Sequence, residues 1–168
     1  MDNLGPELTQ YWDFDPDSFQ LLAARENTIY CAQTERGKIV IRKHRAGYQD
    51  AARIESELCL MHAMKAANCS VPDAIAAKDN RFVIAHGGDH FTAVSWVSGQ
   101  TMSDVLSADP SSDRITQIYH DLGLRLAEFH EAADAWSPSK NFSRHSWDRL
   151  GLVGPQPFWG IAITNFFF

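Results

Sequence analysis

The sequence has few cysteines, no excess of basic residues and no long apolar run. Its three cysteines, Cys31, Cys59 and Cys69, form no C-x-x-C pair, and this usage favours a reducing, cytoplasmic setting. The formal net charge of -6 argues against a general nucleic-acid-binding surface, which needs a basic excess. Because no run of about 20 apolar residues occurs, we expect no contact with a membrane through a spanning helix.

What is present suffices for a folded domain. Apolar residues make up 45% of the 168 residues, which is typical of a chain that buries a core and unlike a disordered one. The negative net charge leaves nucleotide binding open, because a nucleotide needs only a few local cations and backbone amides.

The first third of the sequence predicts an antiparallel sheet. A short helix candidate precedes three strand-like runs that short polar turns separate, and the second and third runs contain the β-branched residues Ile29, Ile39, Val40 and Ile41. The helix candidate spans 6–12, and the runs span 18–24, 26–34 and 38–45. Turns this short join strands as hairpins, so the sheet is expected to be antiparallel.

A helix is predicted at residues 48–68, directly after the third strand. Asn68 provides its stop signal. Apolar residues recur at spacings of three and four and predict one buried stripe, formed by Ala51, Ile54, Leu58 and Met61.

Further strands are predicted in residues 71–97. Residues 79–80 mark one turn and residues 87–88 another, because Asn and Gly tolerate the backbone conformations of tight turns. The order of elements is therefore three strands, a helix and more strands, which together predict an α+β fold.

The character of the sequence changes after Gly99, where helices are predicted. A short helix at 101–108 precedes a long one at 109–136, which Pro110 and a capping Ser111 or Ser112 open. The apolar face of the long helix is formed by Ile115, Ile118, Leu122, Leu126, Phe129 and Ala133.

One cation on the third strand is a candidate for chemistry. Val40 and Arg42 share a face of the strand because alternate residues do. A guanidinium there could neutralise phosphate oxygens if a carboxylate held it, and Glu55 and Glu57 on the following helix are available. The alternative is a surface Arg and a solvated Glu, which is the better interpretation of these residues taken alone.

The family resemblance rests on four stretches, "ENTIYCAQTERGKIVIRKHR", "IESELCLMHAMKAANCSVPDAI", "FTAVSWVSGQTM" and "LGLRLAEFHEAA". Their order and spacing resemble the aminoglycoside phosphotransferase/choline kinase-like family, which includes relatives of type II homoserine kinase. The resemblance covers residues 8–160. It implies a protein-kinase-like N-lobe in residues 1–98, made of an antiparallel sheet plus one helix, followed in residues 99–168 by a hinge and the first helices of a truncated C-lobe.

The resemblance also implies a nucleotide site. Arg42 would contact the phosphates in place of a Lys, Glu57 would be its ion-pair partner, and Val40 would cover the adenine. The other implied residues are Glu26, Asn27 and Thr28 in the turn between the first two strands, and Ser95, Trp96 and Val97 in the hinge. His130, which matches a His at the end of the long helix, is interpreted as structural and is expected on the buried side of that helix.

The implied cofactors are ATP and Mg²⁺, and the implied partner is an unidentified small molecule with a hydroxyl group. The family's catalytic loop, H-[GA]-D with an Asn about five residues after the Asp, follows the long helix. His86-Gly87-Gly88-Asp89 looks similar but precedes the hinge, has an extra Gly, and has Val94 where the Asn would stand. We therefore predict a hairpin turn there, and no catalytic or metal-binding residue in this chain.

The last segment departs from the family pattern. In relatives, a stretch similar to "RHSWDRLGL" connects the long helix to the catalytic loop, whereas here "IAITNFFF" follows Gly160. We expect a chain that stops early, transfers no phosphoryl group and self-associates through its exposed C-terminal apolar surface. Two alternatives stay open. The first is a non-catalytic chain, either a kinase-like binding or regulatory module or an inert gene fragment. The second is an α+β domain unrelated to kinases.

Overall fold

The computed structural model describes residues 4–155 and 157. The aromatic tail after Gly160, on which the early-stop expectation rests, lies outside these described residues. The elements in chain order are α1 (Leu4–Leu8), β1 (Asp15–Ala24), β2 (Thr28–Thr34), β3 (Gly37–Lys43), α2 (Ala51–Ala66), β4 (Ala74–Ile75), β5 (Ile84–His86), β6 (Asp89–Ser95), α3 (Met102–Ala108), α4 (Ser112–Ala135) and α5 (Arg149–Val153). The predicted α+β class is confirmed.

The strands form one six-stranded antiparallel sheet. Its order is β1-β2-β3-β6-β4, and β5 pairs with β6. The register places Ile29 opposite Arg42, and Val40 opposite Cys31 on one side and Val94 on the other. Because paired residues in adjacent strands share a face, these side chains line the same side of the sheet.

The two faces of the sheet have separate cores. On one face, Ile39 and Ile41 of β3 join a cluster that includes Leu8 of α1, Trp12 and Phe91. Burying a side chain of this size contributes about 1.5–3 kcal/mol. Val40 and Arg42 lie on the other face, where the buried cluster is formed by Ile54, Leu58 and Val83, with Ala51, Met61, Ala74 and Val94 packed against it.

The helix α1 ends earlier than the sequence predicts. The chain turns after Leu8, whose carbonyl accepts from the backbone N–H groups of Tyr11 at 3.0 Å and Trp12 at 3.2 Å. This turn directs Trp12 into the core, where its Nε1 donates to the carbonyl of Ile75 at 3.3 Å. The tertiary burial of one large aromatic side chain thus sets the helix boundary.

The helix α2 has the predicted buried stripe and both of its ends are capped. Asp50 accepts from the backbone N–H of Arg53 at 2.9 Å, so the helix begins at Ala51 and not at residue 48. Asn68 adopts a φ of 64°, the left-handed conformation that commonly terminates helices. The predicted stop signal is confirmed.

Gly87 and Gly88 form the predicted hairpin turn between β5 and β6. Their φ angles are 59° and 86°, as a two-residue type I′ turn requires, and His86 pairs with Asp89 across it.

The helices after Gly99 carry little buried surface. Ser111, one of the two predicted caps, caps α4 by accepting from the backbone N–H of Arg114 at 3.3 Å. No residue of α4 is buried, and His130 is exposed. The prediction that His130 lies on a buried side is therefore wrong, because its side chain lies on a part of the helix surface that the other described residues leave exposed. The division of the chain at Ser98 and Gly99 stays a prediction.

A search of the described part of the chain for membrane-crossing helices found none of sufficient length and apolar character.

We predict that Gly88→Ala destabilises the fold by about 1 kcal/mol, because an L-residue is strained at this positive φ. A β-carbon at Gly88 would meet nothing within 4 Å, so the cost is one of backbone conformation alone. Urea denaturation measures it. The control is Gly99→Ala, which is also in open space but has no positive φ and should change stability by less than about 0.5 kcal/mol. Equal stabilities of the two variants would contradict the turn geometry.

Candidate functional site

The centre of the site is an ion pair between β3 and α2. The Nη1 of Arg42 donates to the Oε1 of Glu57 at 2.6 Å, and about one third of each side chain is exposed. The neighbouring residue Leu58 is buried against the sheet, which turns this side of α2 toward β3. The side chain of Glu57 therefore reaches the strand. The structure thus brings together the two residues that the family resemblance implies as partners. The exposed part of the guanidinium leaves room for a second anion.

Glu57 has a second cationic partner that the sequence did not predict. The Nη1 of Arg144 lies 3.2 Å from the other carboxylate oxygen, Oε2. The same nitrogen donates to the Oε1 of Gln49 at 3.0 Å and to the carbonyl of Arg53 at 3.3 Å. Arg144 and Glu57 are 87 residues apart, so no local pattern in the sequence could have joined them.

The turn between β1 and β2 lies at the same end of the sheet as Arg42. Thr28, the first residue of β2, pairs with Lys43, and Ile29 pairs with Arg42. Glu26 is exposed at the turn, whereas the Oδ1 of Asn27 accepts from the backbone N–H of Arg45 at 3.1 Å. The predicted residues 26–28 therefore border the cation, although the side chain of Asn27 is engaged within the protein.

The predicted hinge lies at the opposite end of the same strands. Ser95 pairs with Ile39, its backbone N–H donates to the carbonyl of Asp73 at 2.8 Å, and its Oγ accepts from the N–H of Asp73 at 2.9 Å. The N–H of Trp96 donates to the carbonyl of Lys38 at 3.2 Å. Both groups are thus engaged within the sheet, while the side chain of Val97 is 58% exposed.

These positions lie along one stretch of the sheet that has different chemistry at its two ends. Ile39, level with the hinge, and Arg42 are three residues apart on β3, about 10 Å along the strand. The half-buried Val40 lies between them on the face of Arg42. An apolar centre between backbone groups and a cation suits a ligand that has a flat base at one end and an anion at the other.

The model of the phosphotransferase enzyme family, APH, matches residues 18–155, most of the chain. This chain belongs to the phosphotransferase enzyme family. The resemblance predicted from the four sequence stretches is confirmed.

Two solved structures share this phosphotransferase fold. The structure of the microcompartment-associated aminopropanol kinase is 27% identical with a TM-score of 0.74, and the match covers 94% of this chain and 48% of that one. The structure of amicoumacin kinase hAmiN in complex with AMP-PNP, Ca²⁺ and Ami is 17% identical with a TM-score of 0.71, and the match covers 86% of this chain and 43% of that one. The chain thus spans less than half the length of either kinase. A search of curated proteins found no match.

The side chains of His86 and Asp89 form contacts with other elements of the phosphotransferase fold. The Nε2 of His86 lies 2.9 Å from the Oε2 of Glu7, and its Nδ1 lies 3.4 Å from the hydroxyl of Tyr11. Asp89 instead pairs with Lys43, at 2.6 Å between Oδ2 and Nζ. The two side chains have different partners, as expected of residues that flank a hairpin turn.

The Mg²⁺ that the phosphotransferase family implies does not fit the described residues. Over residues 4–155 and 157, no three His, Cys, Asp or Glu side chains come together as a group able to hold a metal ion. Carboxylate oxygens are the ligands that Mg²⁺ prefers, and the carboxylate of Glu57 is taken by two guanidinium groups. No step involving the metal is therefore derived from these residues.

A buried histidine lies beneath the ion pair. His44 is 6% exposed, and its Nε2 lies 3.0 Å from the Oγ1 of the equally buried Thr92, which pairs with Arg42 in the sheet. Burial, and then the positive charge of Arg42, lower the pKa of His44 from its ordinary 6.5 to about 4. His44 is therefore neutral at pH 7 and does not add charge to the site.

We predict that the stability of the protein falls as the pH drops from 6.5 toward 4. In this range the unfolded chain protonates His44 and the folded chain does not, so protons favour unfolding. The contribution reaches about 3 kcal/mol near pH 4, since each pKa unit is worth about 1.4 kcal/mol. Urea denaturation at several pH values measures it.

The control for this prediction compares two histidines. His44→Gln should flatten the decline in stability between pH 6.5 and 4, whereas His62→Gln, at an exposed position of α2, should leave it unchanged. Identical pH profiles for the wild type and His44→Gln would contradict the neutral, buried state of His44.

Proposed function

We propose that this chain is the nucleotide-binding portion of an ATP-dependent phosphotransferase that acts on a hydroxyl group of a small molecule. The observation that carries the proposal is the ion pair of Arg42 and Glu57, placed at one end of an apolar sheet face whose other end is the hinge. Family membership supports phosphoryl transfer as the reaction of the longer protein.

In the proposed complex, the adenine lies against Val40 and the phosphates reach Arg42. The N–H groups of Ser95 and Trp96 already donate to protein carbonyls, so Val97 is the hinge residue whose amide we expect to meet the adenine edge. A partly exposed guanidinium held by a carboxylate is oriented before the phosphates arrive, and its planar fork suits their oxygens. The turn at Glu26, Asn27 and Thr28 borders these phosphates.

The solved neighbours support the cofactor and the acceptor class. One neighbour is described in complex with AMP-PNP, an analogue of ATP, and Ca²⁺, and the other is described as an aminopropanol kinase, whose named substrate carries a hydroxyl group. We propose ATP and a divalent cation for the longer protein, with the metal held by residues beyond those described. Three free cysteines support a reducing, cytoplasmic location, and the net charge of -6 supports a ligand other than nucleic acid.

We further propose that residues 1–168 alone transfer no phosphoryl group. The reaction needs a base for the acceptor hydroxyl and carboxylates for the metal, and the sequence contains no H-[GA]-D-x-x-x-x-N run. Arg42 and Glu57 supply charge and position, which bind a nucleotide but do not activate an acceptor.

We predict that ATP raises the melting temperature of this chain and that Arg42→Ala weakens ATP binding about tenfold or more. Losing a charge-assisted hydrogen bond to phosphate costs about 1.5–3 kcal/mol. Thermal shift across an ATP titration, with and without Mg²⁺, measures both effects.

The matched control is Arg36→Ala, which removes an exposed cation at the other end of β2 and β3 and should keep the wild-type shift. No ATP-induced shift in the wild type would favour a kinase-like module that does not bind nucleotides, or an inert fragment. An unchanged shift in Arg42→Ala would refute the phosphate role of Arg42.

The exposed face of α4 supports a proposal of self-association. Leu122 and Leu126 are 45% and 49% exposed, and Ile115, Ile118 and Phe129 on the same predicted face are only half-buried. We propose that a second copy of the chain covers this face, because a contiguous apolar patch favours burial against another surface.

We predict that the wild type sediments as a dimer or larger species and that Leu126→Gln weakens this association about tenfold, the effect of losing one buried Leu side chain. Sedimentation velocity over a concentration series measures it. Ala127→Gln, at the neighbouring exposed position off the apolar face, should associate like the wild type. A monomeric wild type would refute the proposal.

A further inference from the structure

The segment that follows α4 returns to α2 and docks on its first two turns. The backbone N–H of Ser143 donates to the Oγ of Ser56 at 2.9 Å, and Ser56 is buried. The next residue, Arg144, donates to Gln49, to the carbonyl of Arg53 and to Glu57. Four hydrogen bonds from two consecutive residues fix this segment beside the ion pair.

This docking changes the charge of the site. Arg42 and Glu57 alone sum to zero, whereas Arg42, Glu57 and Arg144 together carry one net positive charge. The nearby Arg53 is paired with Asp50 at 3.3 Å and adds none. The cluster is therefore cationic in a chain whose formal net charge is -6.

The two guanidinium groups divide the carboxylate between them. Arg42 takes the Oε1 of Glu57 and Arg144 takes the Oε2. A carboxylate with one free oxygen can turn to accept two parallel bonds from a single guanidinium. Arg144 occupies the second oxygen, so Arg42 keeps a single bond to Glu57 and the rest of its fork is directed elsewhere.

We propose that Arg144 is a positioning residue for the phosphates of the nucleotide. It fixes the orientation of Glu57, and through Glu57 that of Arg42, and it leaves the cluster with the positive charge that attracts a phosphate. This inference rests on the proposed nucleotide-binding function and extends it to a residue outside the sheet and α2. Arg144 acts through Glu57 and need not touch the ligand.

The first experiment measures the affinities of ATP and adenosine by calorimetry for Arg144→Ala, Arg144→Lys and Arg149→Ala. Arg149 is an exposed arginine five residues further along, so its removal changes the net charge equally. Arg144→Ala should weaken ATP about fivefold and leave adenosine unchanged, since only the phosphates meet the cluster. Arg144→Lys should recover part of the loss, and Arg149→Ala should bind like the wild type.

The second experiment needs no nucleotide. Urea denaturation of Glu57→Gln, Arg144→Ala and the double variant gives a double-mutant cycle. The change in the unfolding constant of the double variant should be about threefold smaller than the product of the changes in the two single variants. A purely additive cycle would overturn the inference, whatever the nucleotides show.

The two experiments separate the possible failures. If the cycle shows coupling but the wild type binds no ATP, the proposed function is wrong, and with it the phosphate role of Arg144. A wild type that binds ATP, with Arg144→Ala losing ATP and adenosine equally, would assign Arg144 a merely structural role and overturn the inference alone.

Discussion

The carboxylate of Glu57 is shared by cations from two distant parts of the chain, and the arrangement of the site depends on this sharing. Arg42 approaches from β3 and Arg144 from the segment after α4, each on its own oxygen. Their side chains are about one third exposed, so the charges are stabilised partly by each other and partly by water. The sheet, α2 and the returning segment therefore meet at one functional group.

The apolar contacts of α2 make this meeting possible. Ile54 and Leu58 are buried, with Val83, on the face of the sheet that carries Val40 and Arg42. Their burial contributes more free energy than an exposed ion pair does, so packing sets the position of the helix. The ion pairs then determine which of the remaining orientations the charged side chains adopt. The opposite face of the sheet has its own core around Ile41 and Phe91, which keeps β3 in place.

Local patterns in the sequence were enough to predict the strands, α2, its stop at Asn68, and the turn at Gly87 and Gly88, whereas the pairing of Arg42 with Glu57 was implied only by the family resemblance. Each of these depends on residues close in sequence or on one adjacent pair of elements. The end of α1 was not predictable, because a distant core receives Trp12.

The exposure of His130 and the contact of Arg144 with Glu57 depend on tertiary arrangement alone. A helical apolar pattern predicts that one face is buried, but it does not predict which residues bury that face. The chemical roles of the hinge and turn residues stay predictions, because the fold fixes where they lie and not what they bind.

The bond from the backbone N–H of Arg45 to the side chain of Asn27 has a consequence for the entropy of ligand binding. It ties the turn between β1 and β2 to the chain just after β3. Ordering a flexible residue costs about 1–2 kcal/mol, and here much of that cost is met when the protein folds. A ligand at this turn would thus meet a pre-organised edge, and more of its contact energy would remain as affinity.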